Sequence, residues 1–264
     1  MPSRNIPEAV RTQLRQEVGF RCPVEDCGSP YLTFHHYDPP WAAEHHHRPE
    51  GMVALCRPHA DQADHGAFTD EQIRTMKREG LNRAAGVEGR FNWMRQSLLA
   101  VIGGNFYLDP GEVLRVNGHT LFAFERDEQG QLLLTFMIPG PDGPRTQIIR
   151  NAWTIPPGEA AEVICPPSAR KLQVDYHDGD ALNIEFFEAT DTAAFAKRYP
   201  GHTCPDDVFP LTAVEITYET AAGISFNPTH TALPGAVFKN CYLAMPPAGV
   251  VFNIEAPRDP RPGL

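Results

Sequence analysis

The 264-residue chain lacks a long apolar run and an excess of positive charge. No stretch approaches the length of about 18 apolar residues needed to cross a bilayer. The first twenty residues have no apolar core of the kind found in secretory signal peptides. We therefore expect a cytoplasmic protein with no membrane partner. In that reducing compartment, clustered cysteines are more often metal ligands than disulfides.

A formal net charge of −10 is not typical of a protein that binds nucleic acid over its whole surface. The charge is unevenly divided: residues 1–90 carry 11 basic and 13 acidic side chains, whereas residues 91–264 carry 12 and 20. Metal cations bound in the near-neutral part would make it locally positive. Any contact with nucleic acid is therefore expected within residues 1–90.

Cysteine and histidine are concentrated between Cys22 and His65, a stretch that holds three of the six cysteines and seven of the eleven histidines. Two cysteines stand at one end, and a cysteine and a histidine stand at the other. Thiolate and imidazole suit zinc, and four such ligands complete its tetrahedral shell. The pattern predicts a structural Zn²⁺ bound by Cys22, Cys27, Cys56 and His59. The adjacent His35 and His36 are not needed for this zinc site and are therefore candidate catalytic residues.

Residue patterns across the same stretch predict the order strand, loop, strand, helix. Tyr31–Tyr37 is rich in β-branched and aromatic residues, which favours a strand. Met52–Leu55 is a second short apolar run, and Pro58 suits the first turn of a helix. A helix is also predicted at Ile6–Phe20, and another follows Thr69, which begins a capping box. Zinc would join the hairpin to the helix that follows it.

Beyond Phe106, alternating apolar runs are separated by glycine-containing turns, which is typical of β structure. The predicted fold class is α+β. Residues 1–90 form a zinc-stapled module with flanking helices, 91–105 a linker and 106–264 an all-β domain, either a sandwich or a β-solenoid. The predicted strands are Val113–Val116, Thr120–Phe124, Leu132–Ile138, Thr146–Ile149, Leu172–Tyr176, Leu182–Phe187, Val214–Thr217 and Gly249–Ile254.

Residues 20–66 resemble the HNH nucleases, whose fold is also called ββα-metal. The resemblance is carried by His35-His36, by the run Pro49–Cys56 and by His59. It implies metal-dependent hydrolysis of phosphodiester bonds in nucleic acid, with DNA as the expected substrate. It also implies His36 as the general base and His35 as a ligand of a catalytic Mg²⁺, Mn²⁺ or Ni²⁺. The β-rich domain would then bind a target, a protein partner or a second copy of the chain.

Two positions depart from that family's pattern. Gly51 stands where the family has an asparagine that braces the loop behind the base. Ala60 stands where it commonly has a ligand of the catalytic metal. Asp64 lies one helical turn beyond Ala60 on the same face and is the expected substitute. Four further histidines could also reach the site, namely His45, His46, His47 and His65.

These departures leave two functions open. The chain is either an active nuclease with replacement ligands, or a catalytically degenerate zinc module that acts as a scaffold for a β-rich binding or assembly domain. In the first case His35 and His36 must serve one site. Adjacent residues of a strand point to opposite faces, so this requirement predicts a bulge or twist at the end of the first strand.

Overall fold

The computed structural model describes residues 4–80, 86–116, 119–140, 143–220, 225–233, 236–239 and 241–244. This part of the chain mixes helices with a larger number of strands. The helices are α1 Glu8–Glu17, α2 Arg57–Asp64, α3 Asp70–Gly80 and α4 Thr192–Arg198. None of them is long and apolar enough to cross a membrane. The predicted strand Gly249–Ile254 lies outside the described residues.

The strands follow the predicted positions closely, with several additions. They are β1 Leu32–His36, β2 Met52–Cys56, β3 Val87–Arg90, β4 Leu99–Ile102, β5 Asn105–Leu108, β6 Glu112–Val116, β7 His119–Arg126, β8 Leu132–Gly140, β9 Gly143–Ile149, β10 Ala152–Ile155, β11 Ala160–Ile164, β12 Lys171–Tyr176, β13 Ala181–Ala189, β14 Leu211–Glu219, β15 Ser225–Phe226, β16 Thr231–Leu233, β17 Ala236–Phe238 and β18 Tyr242–Ala244.

The chain divides into two compact units, and it enters the first of them twice. The first unit contains residues 4–93 and 152–186, and the second contains 94–151 and the described residues from 187 onward. This differs from the predicted linear division. The expected linker 91–105 contains β4, whose four residues are all buried, and β10 to β12 belong to the first unit. Independent folding of residues 1–90 stays a prediction.

In the first unit, β1 and β2 form an antiparallel hairpin with unbroken register, from Leu32 opposite Cys56 to His36 opposite Met52. All five residues of β2 are buried, and Leu14 of α1 packs in the same apolar cluster. Helix α1 ends earlier than predicted, because the backbone turns into the left-handed region directly after it. The predicted strand, loop, strand, helix order is therefore present.

Helix α3 is capped at its N-terminus and bonded to the hairpin near its C-terminus. The Thr69 backbone N–H donates to Gln72 Oε1 (2.8 Å), and the Gln72 N–H donates to Thr69 Oγ1 (3.2 Å), so the predicted capping box forms. Lys77 Nζ donates to the Met52 carbonyl (3.0 Å) and pairs with Glu17 (2.9 Å). One lysine thus links α3 to both β2 and α1.

The return of the chain to the first unit is anchored by a buried ion pair. Strand β3 pairs with β10, and β12 pairs with both β11 and β13, in each case antiparallel. Arg15 of α1 donates to Glu162 of β11 through Nε (2.8 Å) and Nη2 (3.1 Å). Both side chains are more than nine-tenths buried. This contact joins two segments that are far apart in sequence.

The second unit consists mainly of antiparallel hairpins. Strands β6 to β9 pair in sequence order, as do β14 to β17. Strand β4 is parallel to β14 and antiparallel to β5, which pairs in parallel with β18. Helix α4 packs Phe195 into the core, and Asp191 caps it by accepting from the Ala194 N–H (2.8 Å). Hairpins of this kind are not the parallel rungs of a solenoid, and the sandwich alternative stays a prediction.

The buried ion pair yields a stability prediction. Glu162→Gln should lower the free energy of unfolding by about 3 kcal/mol or more, because it leaves the buried Arg15 charge without its bidentate partner. The matched control is Glu8→Gln. Glu8 also binds Arg15 (2.8 Å) but is 55% exposed, so its loss should cost about 1 kcal/mol or less. Urea unfolding followed by circular dichroism measures both, and equal small effects would contradict the prediction.

Candidate metal centre and active site

Four side chains of the first unit bring their ligand atoms within 4.8 Å of one another, those of Cys22, Cys27, Cys56 and His59. Cys27 Sγ lies 3.7 Å from Cys56 Sγ, and His59 Nδ1 lies 3.3 Å from Cys22 Sγ and 3.2 Å from Cys56 Sγ. Tetrahedral zinc, with bonds of about 2.3 Å to sulfur and 2.05 Å to nitrogen, would place such atoms roughly 3.6–3.8 Å apart. The quartet is therefore close enough to bind a metal such as zinc.

The four ligands come from three local structures. Cys22 and Cys27 lie in a turn after α1, closed by the Cys22 N–H donating to the Ser29 carbonyl (2.8 Å). Asp26 and Gly28 have φ values of 59° and 57°, which let the chain fold back there. Cys56 is the last residue of β2, and His59 lies in the first turn of α2. The turn, the hairpin and the helix thus meet at one point.

The chemistry of this donor set also fits a metal. Burial raises the pKa of the Cys22 thiol and of the Cys56 thiol. Thiolates packed this closely would repel one another unless a cation compensates their charge, and a coordinating metal deprotonates thiols outright. Among the described residues, no second set of three or more Cys, His, Asp or Glu side chains converges in this way.

Beside the hairpin lies a cleft of about 620 Å³ that brings together the predicted catalytic residues. It takes side chains from the N-terminal segment, β1, the loop after β1 and α2. Its polar and aromatic lining consists of Arg4, Thr33, Phe34, His35, His36, Trp41, Arg57, Asp61 and Asp64. Ala60 also lines it, so that position offers no ligand atom.

His35 and Asp64 are adjacent in this cleft. His35 Nδ1 lies 3.0 Å from Asp64 Oδ1. Burial lowers the pKa of His35, with Asp64 opposing the shift, so the neutral imidazole is favoured. Two ligands of an octahedral ion with bonds of about 2.1 Å lie roughly 3.0 Å apart. The same spacing therefore suits a direct hydrogen bond or two donors to one hard cation.

Within the described residues, the ring of His36 is held by a hydrogen bond through Nε2. Its Nε2 donates to the His46 carbonyl (2.9 Å), because a carbonyl oxygen can only accept. The neutral ring then carries its lone pair on Nδ1. Burial lowers the pKa of His36, and the hydrogen bond to the His46 carbonyl opposes that shift. The neighbouring His46, His47 and His35 lower the pKa further when they are charged. Burial thus favours the neutral imidazole of His36, in which Nδ1 is the nitrogen that can accept a proton.

Of the bulge or twist predicted at the end of β1, the bulge is absent, since the β1–β2 register continues unbroken through His35 and His36. The reason is that the cleft accepts side chains from both faces of the strand. His35 contacts Asp64 on α2, whereas His36 contacts the loop that follows β1, where the ring of Trp41 lies 5.0 Å away. Both histidines line one cleft without a break in the strand pairing.

The other histidines that could have supplied ligands have different contacts. Both ring nitrogens of His46 bond to the backbone of its own loop. The rings of His45 and His47 stack on Trp41, with centroids 4.7 Å and 5.2 Å away. His65 is 78% exposed, and its Nδ1 donates to a backbone carbonyl one turn earlier (2.8 Å). Of the substitutes considered, Asp64 is the one that contacts His35.

Two arginines of the cleft, Arg4 and Arg57, were not identified from the sequence. Arg57 directly follows Cys56, a predicted zinc ligand, at the start of a predicted helix. That position could have indicated from the sequence that Arg57 lies close to the site. Arg4 precedes the first helix and reaches the cleft only through the tertiary fold. Their guanidinium groups are suited to phosphate oxygens.

No protein-family model, curated protein or solved structure matches this chain. The resemblance to HNH nucleases therefore rests on the residues named above.

The metal centre predicts about one zinc per purified chain. Cys56→Ser should remove the zinc and destabilise the first unit, because metal-binding energy is folding energy in so small a module. Elemental analysis together with circular dichroism measures both effects. Cys241→Ser, outside the quartet, should keep the zinc. A chain that is fully folded without zinc would contradict this assignment.

Proposed function

We propose that the chain is an HNH-type endonuclease that hydrolyses phosphodiester bonds of nucleic acid, with DNA as the expected substrate. The observation that carries the proposal is the convergence of His36 and the His35–Asp64 pair in one cleft. Two arginines line the same cleft. The Cys22, Cys27, Cys56 and His59 quartet would hold structural zinc beneath it.

In this reaction His36 is the general base. Its Nδ1 takes a proton from a water molecule, the water oxygen attacks phosphorus, and the bond from phosphorus to the leaving nucleoside oxygen breaks. A base of this kind needs a pKa near or below neutrality and a fixed ring. Burial supports the first property, and the bond to the His46 carbonyl supports the second.

His35 and Asp64 would hold a divalent cation such as Mg²⁺, Mn²⁺ or Ni²⁺. Bound there, the cation would neutralise charge that develops on the phosphate. Two protein donors are sufficient for Mg²⁺, which keeps several waters and takes substrate phosphate oxygens. Arg4 and Arg57 would contribute positive charge for the nucleic-acid backbone, which compensates for the acidic balance of the chain.

A second candidate is a degenerate nuclease in which the zinc module supports a β-rich binding or assembly unit. Ala60 favours it, because a buried methyl group lines the cleft where a metal ligand is expected. In that case the second unit would bind a protein partner or another copy of the chain.

A plasmid-nicking assay with Mg²⁺, Mn²⁺ or Ni²⁺ distinguishes the two functions. His36→Ala should lower the rate about 100- to 10,000-fold, the typical contribution of a general base, while zinc content stays unchanged. Asp64→Ala should raise the concentration of divalent metal needed for half-maximal rate. His65→Ala is the matched control, because His65 lies outside the cleft, and it should nick at the wild-type rate.

Two outcomes would count against the nuclease. Wild-type nicking by the His36→Ala variant would remove His36 from the mechanism. A wild-type protein that cuts neither DNA nor RNA with any of the three metals would favour the scaffold.

A further inference from the structure

We propose that His46 is the positioning residue of His36. In this arrangement the buried His46 ring, housed in space that Gly51 leaves open, fixes the backbone carbonyl that selects the ring tautomer of His36. The inference rests on the proposed function, because it assigns His46 a part in the work of the base. His46 itself touches neither substrate nor metal in this account.

The His46 ring ties together the two ends of its own loop. The Arg48 backbone N–H donates to His46 Nδ1 (3.1 Å), and since a backbone N–H can only donate, Nδ1 is the acceptor nitrogen. The proton of the neutral ring is then on Nε2, which donates to the Pro39 carbonyl (2.9 Å). The residue is 4% exposed. A buried ring with both nitrogens bonded holds its own backbone in place.

That backbone carries the carbonyl that His36 uses. The bond from His36 Nε2 to the His46 oxygen (2.9 Å) places the His36 proton on Nε2 and the lone pair on Nδ1. The His46 ring also meets the His36 ring edge-on, with centroids 5.2 Å apart. His46 therefore acts on His36 twice, through its carbonyl and through its ring.

Gly51 is what makes room for this ring. A Cβ at position 51 would lie 2.9 Å from His46 Cε1 and 2.0 Å from the Asp38 carbonyl oxygen. The Gly51 carbonyl also accepts from the Tyr37 N–H (2.9 Å), and this bond holds the backbone at Gly51 against the backbone that follows β1. No side chain fits at position 51 in this arrangement. His46 holds the loop behind His36 in place. Gly51, which lacks the side chain that the resemblance leads one to expect, is required because it leaves room for the His46 ring.

The test uses His46→Ala and His46→Gln in the full-length chain, with zinc content and circular dichroism as checks of folding. In the plasmid-nicking assay, His46→Ala should lower kcat about 10- to 100-fold, as expected when a catalytic group is misplaced. KM should change by less than about two-fold, because no substrate contact is removed. His46→Gln keeps an amide N–H near the position of Nε2 and should recover part of kcat. It also serves as the variant to measure if His46→Ala does not fold.

A matched control is His45→Ala, in the same loop but exposed, and it should retain wild-type kcat. Gly51→Ala tests whether the absence of a side chain at position 51 is needed for the His46 ring to take its place. It should reduce kcat as His46→Ala does while zinc remains bound, since the added methyl group forces the loop away from residue 51.

The readout that does not depend on activity is the tautomer of His36. A long-range proton–nitrogen correlation spectrum of the imidazole groups, with His36→Ala for assignment, should show the Nε2–H form in the wild type. In His46→Ala it should show a mixture of both forms. A pure Nε2–H form in that variant would overturn the proposal, whatever the activity. A mixture in a protein that cuts no nucleic acid would uphold the positioning by His46 and refute the nuclease instead.

Discussion

The convergence of four ligand atoms from three local structures is the constraint on which the first unit depends. The turn after α1, the end of β2 and the start of α2 must meet within a few ångströms for the Cys22, Cys27, Cys56 and His59 quartet to form. That meeting sets the direction in which α2 leaves the hairpin. Asp64, at the far end of α2, consequently faces His35 at the end of β1.

Soft and hard donors are kept apart by this arrangement. The thiolates and His59 suit zinc and would form a closed tetrahedral set around it, whereas the cleft offers imidazole and carboxylate, which suit a hard ion with open positions. Both sites use α2, the first at its N-terminal turn and the second at its last residue. Zinc bound at the first turn of α2 would therefore also fix the position of Asp64 at the end of the same helix.

The quartet and the hairpin could be predicted from sequence because both are local patterns. Ligand spacing identifies the quartet that could bind a metal, and the capping box at Thr69 identifies the start of α3. The return of residues 152–186 to the first unit could not be predicted, because it rests on long-range contacts such as that between Arg15 and Glu162. The position of the His46 ring could not be predicted from the sequence either, because it depends on tertiary contacts. It depends on the space at Gly51, which no sequence pattern displays.

X-ray absorption at the zinc edge on the full-length protein tests the central claim most directly, because it reports the ligand atoms without reference to activity. The account predicts a first shell of three sulfurs at about 2.3 Å and one nitrogen at about 2.0 Å. A shell of only nitrogen and oxygen, or a folded protein that holds no zinc, would contradict it.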